Sequence, residues 1–271
     1  MKRFAVIGDP IAHSLSPTLH SEIYRQLGIH ASYEKIHLSS DQLSDFMVQN
    51  KLDGLNVTIP HKTTAIPYLK ELDKSAEIIG AVNCISAGKG YNTDWIGFLK
   101  AMELNDVELT GKDCLILGAG GAARAVAYAL IKSNVNSITI ANRTKEKAVS
   151  LTQWVKSQSV IRVKSSSPER LDTLTSEHII INCTPLGMWP DTESVPMDVN
   201  DISKPQVLVD TIYNPWETEW LKLGKEKGAK TVGGLDMFIA QGLASADIWF
   251  GENIAEKVNL TILRELLISA I

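Results

Sequence analysis

The chain has 271 residues, of which 44% are hydrophobic and 21% charged, and its formal net charge is −4. This is the composition of a globular protein, and the length suggests about two domains. The acidic balance argues against a general nucleic-acid-binding protein, and no apolar run approaches the ~18 residues of a membrane span. Lys2 and Arg3 are not followed by the long apolar region of a signal peptide. We therefore expect a cytoplasmic protein that binds neither nucleic acid nor membranes.

The cysteines and histidines predict neither disulfides nor a metal site. Cys84, Cys114 and Cys183 are far apart and form no C-x-x-C pair, so we expect reduced, mostly buried thiols. The six histidines show no H-E-x-x-H or other ligand spacing. The chain also lacks a G-x-S-x-G elbow and a Cys–His signature, which disfavours hydrolytic chemistry.

Strands and helices alternate through the first hundred residues. Strands are predicted over 4–8, 32–38, 54–59 and 81–87, and helices over 18–27, from a cap at 39 or 40 to about 50, over 63–69 and over 95–104. Pro17 suits the first position of its helix, which makes Ser16 the natural N-cap. Residues 105–112 are polar and have the composition of a linker.

Polar side chains gather near the ends of these strands. Ser14 has no capping role, so a ligand-facing hydroxyl and a turn residue are equally good interpretations. Thr58 shares a strand face with Asn56 near the C-terminal end, where open α/β sheets bind ligands, although a half-exposed edge strand would show the same pattern. Lys62 lies where the chain enters the next helix, yet most lysines are solvated surface groups. Asp94 could simply be a first-turn acid of its helix.

The segment after the linker predicts a dinucleotide-binding unit. Residues 114–117 are a short apolar run typical of a buried parallel strand. Gly118, Gly120 and Ala123 then fit the G-x-G-x-x-G/A fingerprint, in which the glycines allow a tight turn and a close approach of pyrophosphate to the backbone. A helix over 121–132 would direct its N-terminal N–H groups at the phosphates. A second strand over 137–141 completes the expected context.

The end of that second strand indicates which dinucleotide binds. An NAD site usually has Asp or Glu about 20 residues past the fingerprint, where it bonds the ribose 2′-OH. This chain has Asn142, Arg143 and Thr144 there, followed by Lys145 and Lys147. Arg143 can stack on adenine and hold a 2′-phosphate. A solvated basic turn is the alternative, but the fingerprint upstream favours NADP.

The remaining residues continue the alternation of strand and helix. Strands are predicted over 160–163, 179–183, 206–213 and 230–233, and helices over 145–156, 217–227, 234–250 and 252–271. Gln241 lies off the apolar stripe of its helix, and alone it would be interpreted as facing solvent. The whole pattern predicts two α/β units with parallel or mostly parallel sheets.

Eight short segments, in chain order, carry a resemblance to a known family. They are 14–17 (Ser-Leu-Ser-Pro), 56–62 (Asn-Val-Thr-Ile-Pro-His-Lys), 80–83 (Gly-Ala-Val-Asn), 92–94 (Asn-Thr-Asp), 118–122 (Gly-Ala-Gly-Gly-Ala), 142–144 (Asn-Arg-Thr), 184–188 (Thr-Pro-Leu-Gly-Met) and 234–237 (Gly-Leu-Asp-Met) with Gln241. The chain resembles the shikimate dehydrogenases along nearly its whole length. One segment alone could match by chance, whereas eight in the right order are very improbable as a coincidence.

The resemblance implies a fold and an activity. The fold would be two α/β domains: a substrate-binding and catalytic domain of residues 1–104 plus 236–271, with a mostly parallel sheet, and a Rossmann-type NADP-binding domain of residues 105–235. The C-terminal helices would return to the substrate domain, and the active site would be the cleft where the domains meet. The activity would be reversible, NADPH-dependent reduction of 3-dehydroshikimate to shikimate, in aromatic amino-acid biosynthesis. We expect a monomer or a homodimer.

The resemblance also assigns roles to residues. Lys62 and Asp94 correspond to the catalytic pair. The residues that match substrate ligands are Ser14, Ser16, Thr58, Asn83, Tyr213 and Gln241. Those that match cofactor contacts are Gly118, Ala119, Gly120, Gly121, Ala122, Asn142, Arg143, Thr144, Lys147, Thr211 and Gly234.

Three other functions remain open at this point. A related enzyme could prefer quinate or accept both acids, although Ser14, Ser16 and Thr58 favour shikimate because quinate carries an additional hydroxyl. Another two-domain NADP dehydrogenase, such as a methylene-tetrahydrofolate type, is disfavoured by the serine motif and by residues 92–94. A non-catalytic NADP-binding regulator should have lost Lys62 or Asp94, and this chain has kept both.

Overall fold

The structure, a computed structural model, describes residues 1–167, 178–201 and 207–271. The chain divides into two compact units, residues 1–97 with 239–270, and residues 98–238 with 271. Each unit contains one six-stranded sheet. The predicted fold class, two α/β units, is therefore confirmed. Within the described residues, no helix is long and apolar enough to cross a membrane.

The sheet of the first unit is mixed. Its strand order is β2-β1-β3-β5-β6-β4, with β1 Lys2–Gly8, β2 Ala31–His37, β3 Gly54–Val57, β4 Glu71–Leu72, β5 Cys84–Ser86 and β6 Lys89–Tyr91. β1 pairs in parallel with β2 and β3, and β4 pairs in parallel with β6. β5 is antiparallel to both β3 and β6. The predicted 81–87 strand is thus shorter, and a hairpin at Ala87 and Gly88 reverses the chain, because both residues have positive φ.

The helices of the first unit cover both faces of its sheet. They are α1 Ser16–Leu27, α2 Leu43–Gln49, α3 His61–Thr64, α4 Lys74–Ile79, the start of α5 Asp94–Leu104, most of α9 Gly234–Phe250, and α10 Leu260–Ser269. One core cluster includes Ile7, Leu55 and Val82. Elsewhere in the unit Phe4 stacks on Trp249, with ring centroids 4.6 Å apart. The indole N–H of Trp249 donates to the Ile85 carbonyl at 3.0 Å, which ties α9 to β5.

Several predicted helix boundaries in this unit were wrong for local reasons. The N-cap of α1 is Leu15, and Ser16 is the first helical residue. Ser14 instead accepts the Ser16 backbone N–H at 3.3 Å. The helix predicted over 63–69 is a single turn at His61–Thr64 followed by a 3-10 turn at Ile66–Tyr68, because Pro67 cannot donate an N–H within a continuing helix.

The other two corrected boundaries differ in cause, because α2 starts without a side-chain cap and the final helix starts with one. α2 begins at Leu43 rather than near residue 40, because the backbone N–H and hydroxyl of Ser39 both donate to Gln42 Oε1. The final helix is limited to Leu260–Ser269 because the side chain of Asn259 accepts the backbone N–H groups of Thr261 and Ile262. Before it stands only a 3-10 turn, Ile254–Glu256.

The sheet of the second unit is parallel throughout the described strands. Its order is β12-β11-β10-β7-β8-β9, with β7 Asp113–Leu117, β8 Ser137–Ala141, β9 Arg162–Ser166, β10 His178–Asn182, β11 Val207–Asp210 and β12 Lys230–Val232. The helices between them are α6 Gly121–Lys132, α7 Lys145–Gln158 and α8 Glu219–Glu226. Read from β9, this is the 3-2-1-4-5-6 order of dinucleotide-binding folds, whose switch point lies between β7 and β10. The strand predicted over 206–213 is β11, and its first residue, Gln206, lies outside the described residues.

The three cysteines are free thiols. Cys84 and Cys114 are buried in strands of different units, and Cys183 is partly buried. Burial raises the pKa of the Cys84 and Cys114 thiols well above the usual range. Both therefore behave as small hydrophobic residues.

Candidate active site

The first unit pairs the two residues that match a catalytic dyad. Lys62 is the second residue of α3, and Asp94 is the first residue of α5. Lys62 Nζ donates to Asp94 Oδ2 at 2.5 Å, and the two side chains are 20% and 10% exposed. The turn that carries Lys62 is anchored by buried His61, whose Nε2 lies 2.6 Å from the Leu38 carbonyl. A lysine and a carboxylate are thereby held together with limited access to water.

Asn83 joins this pair to α9. Its Nδ2 lies 2.8 Å from Asp94 Oδ1 and 3.3 Å from Gln241 Oε1. Its Oδ1 accepts the backbone N–H of Thr93 at 2.6 Å. Both oxygens of Asp94 therefore receive a donor, one from Lys62 and one from Asn83. Four of the predicted site residues, Lys62, Asn83, Asp94 and Gln241, form one connected cluster.

The sheet topology explains why residues so far apart in sequence converge. β1 and β3 are parallel neighbours, so the loops after Gly8 and Val57 leave the sheet at one edge. Cys84 lies opposite both Asn56 and Tyr91 in the antiparallel pairings. Asn83 before β5, and the segment after β6 that leads to Asp94, are therefore at that same edge. In open α/β sheets this is where ligands bind.

The predicted hydroxyl ligands occupy the loops at this edge. Ser14 Oγ donates to Ser16 Oγ at 3.2 Å, with Ser16 buried and Ser14 partly exposed. Thr58 directly follows β3 and is partly buried, and its backbone N–H donates to the Ile7 carbonyl at 3.0 Å. Each hydroxyl is placed on backbone that is itself fixed to the sheet or to α1.

Sequence reasoning missed three polar residues that complete this cluster. Asn56 and Thr93 lie inside segments already noted, but nothing in the sequence showed that their side chains turn inward. Thr93 Oγ1 accepts from Asn83 Nδ2 at 2.9 Å, and Asn56 Nδ2 donates to the Asn83 carbonyl at 3.0 Å. Ser245 bonds Asn56 across 189 positions of sequence, at 3.0 Å. Its only local indication was that it follows Gln241 by one helical turn.

The glycine loop of the second unit combines one buried glycine with two that face open space. Gly118 has φ +108°, and a Cβ there would lie 3.0 Å from the Cys183 backbone, so only glycine fits without strain. Gly120 caps α6 and Gly121 begins it. A Cβ on either meets nothing within 4 Å. The helix N-terminus is therefore open to a phosphate group, and Ala119 and Ala122 are only partly buried beside it.

The turn after β8 is basic and exposed. Arg143, Thr144 and Lys147 are all exposed, and Asn142 Nδ2 donates to the Thr144 carbonyl at 2.9 Å, which fixes the shape of the turn. The described turn contains no acid before Glu146. Two cations beside a helix start suit a phosphate better than a ribose 2′-OH.

The remaining predicted residues follow β11 or β12. Thr211 Oγ1 donates to the Asn182 carbonyl at 2.9 Å. Gly234, the first residue of α9, comes so near that a Cβ would lie 2.5 Å from the Thr211 carbonyl oxygen. Tyr213 stacks on Phe238 with ring centroids 4.3 Å apart. Backbone crowding at Gly234 accounts for the glycine there whether or not it contacts a cofactor.

A buried carboxylate supports this end of the second sheet. Asp210 is 1% exposed and accepts from Ile212 N, Asn182 Nδ2 and Thr218 Oγ1 at 3.0, 3.1 and 2.9 Å. Burial raises the pKa of Asp210 to about 6, and the three hydrogen bonds only partly oppose that rise. Asn182 also bonds the Leu186 carbonyl and Thr184, so the Asn182–Asp210 pair fixes the loops after both β10 and β11.

Comparison with known proteins identifies the family. The family model described as shikimate dehydrogenase substrate binding domain matches residues 6–85, and that described as shikimate / quinate 5-dehydrogenase matches residues 100–215. The shikimate dehydrogenase (NADP(+)) of Methanococcus maripaludis is 40% identical over 282 residues, covering 100% of this chain and 98% of the relative. The chain belongs to the shikimate dehydrogenase family. The family predicted from the eight segments is thereby confirmed, and the protein is an oxidoreductase.

Solved structures of shikimate dehydrogenases agree along the full length. A crystal structure of one in complex with NADP+ has a TM-score of 0.91 and 37% identity, covering 100% of this chain and 96% of that chain. The Thermus thermophilus enzyme in complex with NADP(H) and shikimate has a TM-score of 0.88 and 31% identity, covering 100% of both chains.

Proposed function

We propose that this chain catalyses the reversible, NADP(H)-dependent reduction of 3-dehydroshikimate to shikimate. The observation that carries the proposal is the 2.5 Å contact between Lys62 and Asp94, braced by Asn83, in a chain of the shikimate dehydrogenase family. A proton donor beside a fixed carboxylate is what reduction of a ketone requires besides a hydride source. Such a step belongs to the shikimate pathway of aromatic amino-acid biosynthesis.

The second unit has the features needed for NADP(H). Open space over Gly120 and Gly121 at the start of α6 suits the pyrophosphate. Arg143 and Lys147 are exposed beside the turn after β8 and suit a 2′-phosphate, because Arg can bond phosphate through two N–H groups. When bound, NADPH supplies the hydride for the reduction. We assign the substrate to residues 1–104 with 236–271, and the cofactor to residues 105–235.

Lys62 and Asp94 divide the acid–base work. Reduction puts negative charge on the ketone oxygen, and Lys62 Nζ can both stabilise that charge and donate the proton. Asp94 orients Lys62 through Oδ2, while Asn83 fixes Oδ1 so that the carboxylate cannot rotate. In the oxidation direction Lys62 accepts the hydroxyl proton. The pair thus serves both directions without another base.

Specificity would come from hydroxyl and amide groups that suit a polyhydroxylated carboxylic acid. The groups we assign to the substrate are Ser14, Ser16, Thr58, Asn83, Tyr213 and Gln241. A site built to hydrogen-bond hydroxyl groups rejects analogues that leave its buried polar atoms unpaired. The Ser14 and Ser16 hydroxyl oxygens lie 3.2 Å apart, which places two hydroxyl groups side by side. We propose that they meet the substrate carboxylate and disfavour quinate, which needs extra room at that carbon.

The test is an absorbance assay of NADPH formation with shikimate or quinate and with NADP or NAD. We expect shikimate with NADP to give the highest kcat/KM. Lys62→Ala should lower kcat by about 10²–10⁴-fold, the range for general acid–base groups, with little change in KM for shikimate. Lys89→Ala is the matched control, because Lys89 is also paired with a carboxylate, Glu71 at 3.3 Å, in the same unit. Near-normal kcat in Lys62→Ala would refute the assignment, and ligand binding without turnover by the unmodified protein would favour a regulator.

A further inference from the structure

A fully buried serine lies on α9 one turn beyond Gln241. Ser245 is 0% exposed, and its Oγ lies 3.0 Å from the Gln241 carbonyl oxygen. That bond alone is ordinary for a helical serine. The same hydroxyl also lies 3.0 Å from Asn56 Nδ2 and 3.3 Å from Thr93 Oγ1, which come from other elements of the unit. The helix itself requires neither of these contacts.

Hydrogen counting shows that Ser245 supplies the second acceptor that the Asn56 amide needs. Asn56 Oδ1 accepts the Tyr33 hydroxyl at 2.7 Å. Its Nδ2 carries two hydrogens, which go to the Asn83 carbonyl and to Ser245 Oγ, both at 3.0 Å. Asn56 is 6% exposed, so no solvent replaces a lost partner cheaply. With Ser245 as the second acceptor, the amide has one orientation that satisfies every atom.

The same count extends to the catalytic pair. Thr93 Oγ1 donates to the Gln241 carbonyl at 2.9 Å and accepts from Asn83 Nδ2 at 2.9 Å. The other Asn83 amide hydrogen goes to Asp94 Oδ1 at 2.8 Å, which is nearer than Gln241 Oε1 at 3.3 Å. Ser245 donates to the same Gln241 carbonyl that holds Thr93. The hydroxyl thus accepts from Asn56, which holds the Asn83 backbone, and shares the Gln241 carbonyl with Thr93, which holds the Asn83 side chain.

We infer that Ser245 is a positioning residue whose hydroxyl, through Asn56 and Thr93, holds Asn83 against Asp94 for the reaction. This inference rests on the function proposed above. Its physical basis is the cost of an unsatisfied buried donor: without Ser245 Oγ, an N–H of Asn56 loses its acceptor, and Asn56 is the side chain that donates to the Asn83 carbonyl. Buried polar networks transmit such a loss because their members share hydrogens.

Ser245→Ala removes the hydroxyl without adding bulk. We expect kcat/KM for shikimate to fall about 10-fold, the equivalent of one lost buried hydrogen bond, while KM for NADP is unchanged. Ser245→Cys is close in size and keeps a weak acceptor, so it should show a smaller loss in the same direction and protects the test against a packing failure. In a double-mutant cycle with Thr93→Val, the combined loss should be smaller than the product of the single losses, because both changes act on one network.

Ser75→Ala is the matched control. Ser75 is also a buried serine of the same unit whose hydroxyl donates to a side chain, that of Asp73, which caps α4 away from the site residues. We expect this variant to lose stability and keep the kcat/KM of the unmodified enzyme. Any of three results would overturn the inference. Both Ser245 variants could show unchanged shikimate kinetics, the loss in the Ser245→Ala, Thr93→Val double variant could equal the product of the two single losses, or Ser75→Ala could lose as much kcat/KM as Ser245→Ala. An unmodified protein that forms no NADPH from shikimate would instead refute the proposed function, and the inference with it.

Discussion

Replacing Asp210 with Asn should change how the stability of the protein depends on pH. Asp210 is 1% exposed, and burial raises its pKa to about 6 from the ordinary value of 3.8. Between these two values the folded protein binds a proton that the unfolded chain has released. The free energy of unfolding therefore falls as pH rises through this window, because stability increases with pH only where the unfolded state binds more protons. A difference of roughly two pKa units corresponds to about 3 kcal/mol.

Asn at this position removes the titration and can keep much of the hydrogen bonding. Its Oδ1 can still accept from Ile212 N and Asn182 Nδ2, while its Nδ2 can face Thr218 Oγ1, a hydroxyl that can also accept. The difference in free energy of unfolding, Asp210→Asn minus unmodified protein, should rise by about 3 kcal/mol as the pH is raised from about 4 to about 7. The assay is urea unfolding at a series of pH values, followed by tryptophan fluorescence, to which buried Trp220 of the same unit contributes.

Another group titrates over the same range and must be separated from Asp210. Burial lowers the pKa of His20 to about 3, so the unfolded chain binds more protons there and stability falls as pH falls below about 6.5. This slope has the opposite sign, and both proteins share it, so it cancels in their difference. Asp198→Asn, at an exposed acid of the same unit, is the control for a change of charge alone. Parallel stability curves for Asp210→Asn and the unmodified protein would refute the reasoning.

Four further substitutions test the two proposed binding regions. Arg143→Ala should raise KM for NADPH with little effect on KM for shikimate, and an unchanged NADPH/NADH preference would contradict its role. Gly118→Ala should lower the free energy of unfolding by roughly 2 kcal/mol or more, because φ is +108° there and the new Cβ would lie 3.0 Å from the Cys183 backbone. Gly121→Ala should instead leave the stability in urea unchanged and raise KM for NADP, since its Cβ would enter open space at the start of α6. Asn83→Ala frees Asp94 Oδ1 and should lower kcat/KM for shikimate by about 10-fold or more, and a loss seen only in thermal stability would show that the contact is structural.

The parts of the fold that were predictable from sequence are those with strong local patterns. The helix predicted over 121–132 and the strand predicted over 137–141 match α6 and β8 residue for residue. Both have a clear local pattern of apolar residues, one typical of an alanine-rich helix and the other of a buried parallel strand. The strands β4 and β6 are two and three residues long. Such short strands are too short to show an alternation of apolar and polar residues. They are recognised as strands only because each pairs with a strand elsewhere in the chain, which a local sequence pattern cannot show.

The site was predictable only as far as its segments are contiguous. Lys62 and Asp94 were predicted as a pair because each stands in a recognisable segment, but their contact depends on the sheet that brings α3 and α5 to one edge. The pairing of Asn56 with Ser245 spans 189 positions and had no sequence counterpart. The fingerprint explained the glycine at position 118 by a tight turn. The structure adds a second reason for glycine there, because a Cβ would lie 3.0 Å from the Cys183 backbone.

The arrangement around Asp94 also supports the proposal that Lys62, rather than the carboxylate, exchanges the proton. Asp94 receives Lys62 at Oδ2 and Asn83 at Oδ1, and it stands at the first position of α5, where the helix dipole favours negative charge. A carboxylate with a donor at each oxygen is fixed as an acceptor. Lys62 has three N–H donors and uses one on Asp94, which leaves others for the substrate oxygen. In the proposed mechanism Asn83 assists proton transfer by keeping Asp94 an acceptor, and any change that loosens Asn83 should weaken catalysis even when Lys62 and Asp94 are both intact.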